Sequence, residues 1–157
     1  MTTTAPTIDD AVAAALAARP AVLPAEDERQ IQRLGLAYGL ACDFAQVDAL
    51  VALFTPDAVW DGAALRMPRV EGHDALRAHF AEQCPPGLRQ VHVLEQVLVS
   101  AGATPDEASG IVYFHAMQAP EGVKAGPAAY GAYEDTYRRV DGTWLIASRT
   151  LHLRVVR

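Results

Sequence analysis

The hydrophobic pattern of this chain changes its period once, at Pro85-Pro86-Gly87. Before this break, apolar residues repeat at helical spacing, as in Ile31, Leu34 and Tyr38. After it they alternate within long runs that are rich in Val, Ile, Tyr, Phe and Thr. Helices followed by a meander of strands are typical of an α+β fold, in which the helices pack on one face of an antiparallel sheet.

The same pattern predicts the individual elements. Thr7 caps a short N-terminal helix in which Ile8, Val12 and Leu16 fall four apart, and Asp141-Gly142 marks a hairpin turn. The predicted helices and strands are Asp27–Phe44, Val47–Phe54 and Asp74–Glu82, then Ala58–Asp61, Leu65–Val70, Arg89–Val99, Ala108–Gln118, Ala129–Arg139 and Trp144–Val156. Thr55-Pro56-Asp57 is expected to separate the second helix from the first strand. We expect an N-terminal extension over 1–25, ending in a linker through Pro24, and one domain over 26–157.

The composition limits the classes of partner. Hydrophobic residues make up 51% of the 157 residues, which is enough for a large core. Lys and Arg total 13 against 19 Asp and Glu, and this net charge of −6 predicts no nucleic-acid partner. No apolar run has the length of a membrane span or the flanks of a secretory signal, so we expect no membrane partner and a cytoplasmic location. The two cysteines, Cys42 and Cys84, fit a reducing compartment.

The final predicted strand carries apolar residues in both of its alternating sets. Leu145, Leu151, Leu153 and Val155 form one set, and Trp144, Ile146 and Val156 form the other. If one set lines the core, the other needs a second surface to cover it. This pattern predicts a homo-oligomer, either a dimer or a trimer.

Several short motifs together resemble the SnoaL-like family of the nuclear transport factor 2-like superfamily. In chain order they are YGLACD (38–43), VDAL (47–50), FTPDAVWD (54–61), EG (71–72), His92, YEDTY (133–137) and DGTWLIASR (141–149). The resemblance implies a curved, mixed, mostly antiparallel sheet that forms a cone-shaped barrel around a pocket, closed by three helices. The family includes dehydratases, isomerases, a dehydrochlorinase, polyketide cyclases and small subunits of ring-hydroxylating dioxygenases, so the fold alone leaves the reaction open.

The resemblance also implies a catalytic pair. In the dehydratase and dehydrochlorinase members, an aspartate at the end of a helix pairs with a histidine on a strand, and Asp43 and His92 match these two positions. An imidazole is close to its neutral point at physiological pH, and a carboxylate on one ring nitrogen stabilises the imidazolium that forms when the other takes a proton. We therefore expect His92 to be the base and Asp43 to orient it.

Four other residues are candidates for the same site. Tyr38 matches a catalytic tyrosine of the bile-acid dehydratase branch, and His115 resembles the second pocket histidine of scytalone dehydratase. Tyr38 and Asp43 lie about 140° apart around a helix, so they share a pocket only if the helix end unwinds or is embraced by it. Trp60 is a candidate wall of the pocket, and Arg149 matches the final-strand arginine of the family, as a substrate-binding residue or as part of an ion pair inside the sheet.

These residues favour an enzyme without a cofactor. No histidine or cysteine spacing is typical of a metal site, and no glycine-rich phosphate loop follows a strand, so neither a metal nor a nucleotide cofactor is expected. The leading interpretation is a lyase or isomerase that acts on a hydrophobic, ring-containing hydroxy-ketone of steroid-like or polyketide-like type. A polyketide cyclase or epoxide-opening enzyme is one alternative, and a non-catalytic binding module or dioxygenase small subunit is another.

Overall fold

The structure is a computed structural model that describes residues 7–17, 23–119, 122, 124 and 126–155. The helices are α1 (Ile8–Ala17), α2 (Ala25–Asp43), α3 (Val47–Val51) and α4 (His73–Gln83). The strands are β1 (Phe54–Asp61), β2 (Arg69–Glu71), β3 (Arg89–Ala101), β4 (Glu107–Ala119), β5 (Gly126–Val140) and β6 (Thr143–Val155). Four long strands follow the helices, and the predicted α+β class is confirmed.

The strands form one curved sheet in the order β2-β1-β6-β5-β4-β3. Neighbouring strands are antiparallel except for β1 and β6, which run parallel. The predicted mixed, mostly antiparallel sheet is therefore confirmed. It remains open, because β2 and β3 are its two edges and do not pair with each other.

The core lies between the inner face of this sheet and the helices α2, α3 and α4. Each helix turns an apolar stripe toward the sheet, and the inward residues of the strands complete the core. The largest fully buried apolar side chains are Ile31, Leu50, Val51, Phe54, Leu76, Phe80, Val112, Phe114, Trp144 and Ile146. In the described ranges, no helix combines the length and apolarity that a membrane crossing requires.

The first strand begins earlier than its sequence predicts. Phe54 and Thr55-Pro56-Asp57 belong to β1, so the predicted end of the second helix at Phe54 is wrong. Pro56 is tolerated because the pairing between β1 and β6 is irregular between Phe54 and Val59, where a proline breaks no regular ladder. The predicted return strand over Leu65–Val70 is also wrong in its extent, because only Arg69–Glu71 pairs with β1.

A β-bulge explains why both sets of the last strand are apolar. Tyr137 pairs with Ile146 and Thr136 pairs with Ser148, so Ala147 is the extra residue in β6. The bulge reverses the alternation, and Trp144, Ile146 and Leu151 are all buried. The two apolar sets therefore do not require a second sheet. The homo-oligomer stays a prediction, and Val156 lies outside the described residues.

The turns and caps follow the sequence closely. Asp141 and Gly142 both have positive φ, 49° and 79°, as the predicted two-residue hairpin turn between β5 and β6 requires. Thr7 Oγ1 accepts the Asp10 main-chain N–H at 3.2 Å, and the Asp10 carboxylate accepts the Thr7 N–H at 2.8 Å. This reciprocal cap confirms the predicted start of α1. Most of the predicted linker, residues 18–22, lies outside the described residues, and the division at residue 25 stays a prediction.

Candidate active site

Gly39 brings α2 unusually close to β3. Gly35, Gly39 and Asp43 are spaced four apart, so they share one face of α2. A Cβ atom on Gly39 would lie 3.0 Å from the main-chain oxygen of His92 and 3.3 Å from Leu94 Cδ1. Only glycine permits this approach without displacing the backbone of β3. The next turn of the same helix face then carries Asp43 to the strand.

Asp43 and His92 form the pair that the resemblance implies. The carboxylate accepts the main-chain N–H of His92 on both oxygens, each at 3.0 Å, and it lies 2.7 Å from Nδ1 of the imidazole. An ionised carboxylate only accepts hydrogen bonds, so the proton between them belongs to Nδ1. The other ring nitrogen, Nε2, is then the basic one. Both side chains are largely buried, with 14% of His92 and 13% of Asp43 exposed.

His92 lines a cavity of about 250 Å³ between the sheet and the ends of α2 and α4. Asp43 is not part of the cavity wall, because it stands behind the imidazole. Much of the wall is apolar and comes from Leu65, Met67, Phe80, Phe114, Ala116, Ala129 and Leu151. The geometry thus places the oriented imidazole of His92 in a cavity wall that is apolar over much of its extent. Among the described residues, no group of three or more His, Cys, Asp and Glu side chains is placed to hold a metal ion.

Tyr38 and Trp60 also line the cavity, as the sequence predicts. Trp60 Nε1 donates to the Tyr38 hydroxyl at 3.3 Å, and both side chains are buried. Burial raises the pKa of the Tyr38 phenol well above its ordinary value, so the phenol keeps its proton. Tyr38 lines the cavity itself, whereas Asp43 lies behind His92 of the cavity wall, so the two side chains do not share the pocket directly.

Arg149 does not reach the cavity, which corrects its predicted role in substrate binding. It is fully buried, and its Nε and Nη2 atoms donate to the two oxygens of Asp135 at 2.8 and 2.6 Å. Its guanidinium lies 4.2 Å from the ring centre of Tyr38 and 4.3 Å from that of Tyr133. The alternative, an ion pair inside the sheet, is the one observed. It supports the aromatic side chains that form the cavity wall.

His115 lies on the outer face of the sheet, which corrects its predicted place in the pocket. It pairs in register with Val93, whereas His92 pairs with Ala116, so the two histidines project from opposite faces. Its side chain is exposed and contacts the ring of Tyr130, with 5.0 Å between ring centres. The error is one of strand register. A shift of one residue in the pairing of β4 turns every side chain of this strand to the other face of the sheet.

The sequence analysis missed a row of amides beside His92. Gln90 precedes His92 by two residues and therefore shares its face of β3. Its Nε2 donates to the main-chain oxygen of Cys42 at 2.8 Å, and Gln118 donates to its Oε1 at 3.4 Å. Both amides line the cavity. Two features of the sequence point to these glutamines. They are the alternation of residues around His92 and the predicted pairing of the strands.

The two cysteines lie together in the same wall. Cys42 ends α2, Cys84 follows α4, and both thiols are free and buried. A hydrogen bond from the Cys42 thiol lowers the pKa of Cys84 to about 7, while the same contact and burial raise the pKa of Cys42. Cys84 is therefore the more acidic thiol of the pair.

The glycine face of α2 yields a matched pair of variants. In Gly39→Ala the new methyl group meets the His92 carbonyl oxygen at 3.0 Å, whereas in Gly35→Ala its nearest neighbour is Leu94 Cδ2 at 3.8 Å. Both changes gain the same helix propensity, about 1 kcal/mol. We expect Gly39→Ala to be less stable than Gly35→Ala by about 1–3 kcal/mol, the usual cost of overpacking, in urea unfolding. Equal stabilities would contradict this close approach.

Alkylation tests the acidity of Cys84. Iodoacetamide reacts with the thiolate, so its rate at Cys84 should rise with pH and reach half its maximum near pH 7, well below the ordinary thiol value of 9.0. Peptide mass mapping at several pH values measures this. In Cys42→Ala the hydrogen bond to Cys84 is lost, and the midpoint should move back toward the ordinary value. Preferential reaction at Cys42 would show that the acidity is assigned to the wrong thiol.

Solved structures with this fold include proteins of several assigned activities. A protein provisionally assigned as an aromatic ring hydroxylase from Novosphingobium aromaticivorans is 28% identical, with a TM-score of 0.77 over 85% of this chain and 92% of that one. A second protein from this organism, provisionally assigned as a scytalone dehydratase, is 25% identical, with a TM-score of 0.73 over 83% and 89%. A type 2 hexachlorocyclohexane dehydrochlorinase shares the fold at 17% identity, with a TM-score of 0.72 over 83% and 86%.

A sequence comparison with curated proteins gives no match. The family comparison does, because residues 24–150 match the SnoaL-like domain and this range holds most of the chain. It includes the motifs quoted above, together with Asp43, His92 and all the residues that line the cavity except Leu151. The chain therefore belongs to the SnoaL-like family.

Proposed function

We propose that this protein is a cofactor-independent lyase or isomerase that removes a proton next to the carbonyl group of a hydrophobic ring hydroxy-ketone. In the dehydratase form of this reaction, loss of the proton is followed by loss of water. In the isomerase form, the proton returns to another carbon atom. Both begin with the same step, and this step is the one that the cavity supports.

The observation that carries the proposal is the orientation of His92. The main-chain N–H of His92 donates to both oxygens of Asp43 and fixes the carboxylate against β3, while Nδ1 lies 2.7 Å from Oδ1, so Nε2 is the nitrogen left to accept a proton. The carboxylate also stabilises the imidazolium that forms. Removal of a proton by such a positioned base contributes roughly 10²–10⁴-fold to a reaction rate.

Tyr38 is placed to stabilise the oxygen of the resulting enolate. Trp60 donates its N–H to the phenol oxygen, so the phenol acts here as an acceptor and still carries a proton of its own. Since burial raises the pKa of Tyr38, this donor stays protonated at neutral pH. A hydrogen bond to the developing negative charge lowers the barrier without a metal ion.

The size of the cavity favours a compact substrate. Its volume of about 250 Å³ lies below the range of roughly 300–1,000 Å³ that is usual for ligand pockets. A substrate of one or two rings fits this space better than a steroid of four. Within the expectation of a steroid-like or polyketide-like compound, the volume thus favours a small polyketide-like ring system.

In the dehydratase cycle, His92 alone can accept the proton and later return it, so protons and electrons balance. Nε2 takes the proton from the carbon next to the carbonyl, and the electron pair of that bond forms the enolate. The enolate then expels hydroxide from the adjacent carbon as the new double bond forms. The imidazolium returns its proton to the hydroxide, which leaves as water, so the enzyme ends in its starting state.

Proton exchange in deuterium oxide tests the proposal without knowledge of the natural substrate. A panel of one- and two-ring ketones and β-hydroxyketones is followed by proton NMR. 3-Hydroxy-1-tetralone is included because loss of water converts it to fluorescent 1-naphthol. We expect the protein to catalyse exchange next to the carbonyl for at least one compound, and His92→Ala to abolish the catalysis. If no compound exchanges but some bind, a non-catalytic binding module replaces the proposal.

Cyclisation and epoxide opening use the same acid and base groups. Mass spectrometry of the products identifies a dehydratase by the loss of one water. A cyclised and an isomerised product both keep the mass of the substrate, so proton NMR distinguishes a new ring from a moved double bond. Epoxide opening is tested by adding an epoxide to the panel.

A further inference from the structure

His79 is a buried imidazole in the cavity wall that the proposed reaction does not use. It lies on α4, only 5% of its surface is exposed, and it lines the cavity together with Trp60. Helical spacing alone predicts no more than a core position for it. Its polar atoms make it different from the leucine and phenylalanine side chains that share its face of α4.

The ring of His79 contacts the aromatic side chains of Trp60 and Phe80. Its ring centre is 4.4 Å from that of Trp60 and 5.5 Å from that of Phe80. In the part of the chain that the structure describes, the buried Nε2 atom of His79 has no hydrogen-bond partner. A buried polar atom without a partner is unfavourable, and a ligand oxygen in the cavity would relieve this cost.

Burial also keeps this imidazole neutral. The pKa of His79 is lowered by burial, against a smaller opposing effect of Glu82. A neutral imidazole has one N–H donor and one acceptor nitrogen. It therefore suits an uncharged hydroxyl group, which can donate or accept, or a carbonyl group, which accepts, better than a cation or a carboxylate.

The two histidines enter the cavity from different ends of the sheet. His92 is on the edge strand β3, while His79 packs on Trp60 of β1, and the strands β4, β5 and β6 lie between them. These three strands line the cavity with Phe114, Ala129 and Leu151. The wall thus has an imidazole at each end of the strand order, and between them these apolar side chains lie beside Gln118 of β4 and Tyr133 of β5.

We propose that His79 binds a second oxygen of the substrate, so the ligand is a compact one- or two-ring compound with two oxygen functions. His92 acts beside one of them, and His79 forms a hydrogen bond with the other. This inference rests on the proposed function for the role of His92, but the binding role of His79 does not require turnover.

A comparison of ligands and variants tests the role of His79 by binding alone. The probes are 2-naphthol and the 1,6-, 2,6- and 2,7-dihydroxynaphthalenes, each of which is 2-naphthol with a second hydroxyl at a different position. Dissociation constants are measured by isothermal titration calorimetry for the unsubstituted protein, His79→Phe and His79→Gln. Phenylalanine keeps the aromatic packing on Trp60, and glutamine keeps a donor and an acceptor at the reach of Nε2.

We expect at least one dihydroxynaphthalene to bind the unsubstituted protein about three- to tenfold more tightly than 2-naphthol, the usual gain from one hydrogen bond. This preference should disappear in His79→Phe and return at least in part in His79→Gln. If no isomer is preferred, or if the preference survives in His79→Phe, the inference is wrong. Binding of 2-naphthol to each variant shows that its cavity is intact.

Two further measurements separate this inference from the proposed function. In His92→Ala the preference that depends on His79 should persist, even though proton exchange is lost. If exchange is absent from every protein while the preference follows His79, only the proposed function fails. Should His79→Phe not fold, the nitrogen-15 NMR signal of Nε2 in the unsubstituted protein replaces it, and that signal must shift with the preferred dihydroxynaphthalene and not with 2-naphthol.

Discussion

His92→Ala should lower the rate of proton exchange by about 10²–10⁴-fold, the usual contribution of a positioned general base. The change removes the basic Nε2 atom, while Asp43 keeps both of its 3.0 Å bonds to the main-chain N–H of residue 92. The end of α2 thus stays attached to β3, and we expect the unfolding temperature to change little. Rates are measured by proton NMR in deuterium oxide with the most reactive ketone of the panel.

Two further variants show whether the loss of rate is specific to the pair of Asp43 and His92. His115→Ala removes a histidine from the neighbouring strand, but on the exposed outer face, so it should keep the full rate. Asp43→Asn keeps the size of the side chain and loses the charge that stabilises the imidazolium, so it should be slow like His92→Ala. A normal rate in His92→Ala, or an equal loss in His115→Ala, would mean that another group is the base.

The fold was largely predictable because its signals are local. The two periods of the hydrophobic pattern distinguish helices from strands, and a two-residue Asp-Gly turn fixes the β5–β6 hairpin. The failures lie where tertiary contacts override these signals. Pro56 lies inside a strand because the pairing there is irregular, and the bulge at Ala147 has no signature in composition.

The site was predictable where a motif and a local geometry coincide. Asp43 and His92 follow from the family motifs, and the structure adds the reason, which is the face of α2 that carries Gly39. Residues whose position depends on strand register were harder to predict from the sequence. His115 illustrates this, because it was expected in the cavity and lies outside it, whereas Gln90 and Gln118 were missed and line the cavity.

Arg149→Met should destabilise the protein by about 3–5 kcal/mol, the usual cost of breaking a buried ion pair. The methionine fills similar space but leaves the buried carboxylate of Asp135 without its two guanidinium donors. The Tyr137 hydroxyl, at 2.8 Å, still donates to it. For a chain of this length, such a loss lowers the unfolding temperature by roughly 6–20 °C, measured by circular dichroism.

The double variant Asp135→Asn with Arg149→Met shows whether the loss comes from the isolated charge. Asparagine still accepts the Tyr137 hydroxyl and brings no charge, so the double variant should recover a large part of the stability that Arg149→Met loses. If the double variant is as unstable as the sum of the single changes, the stacking of Arg149 on Tyr38 and Tyr133 is the dominant contribution instead. In that case the proton-exchange rate of the folded double variant should also fall, because Tyr38 would lose the support that holds its hydroxyl at the cavity.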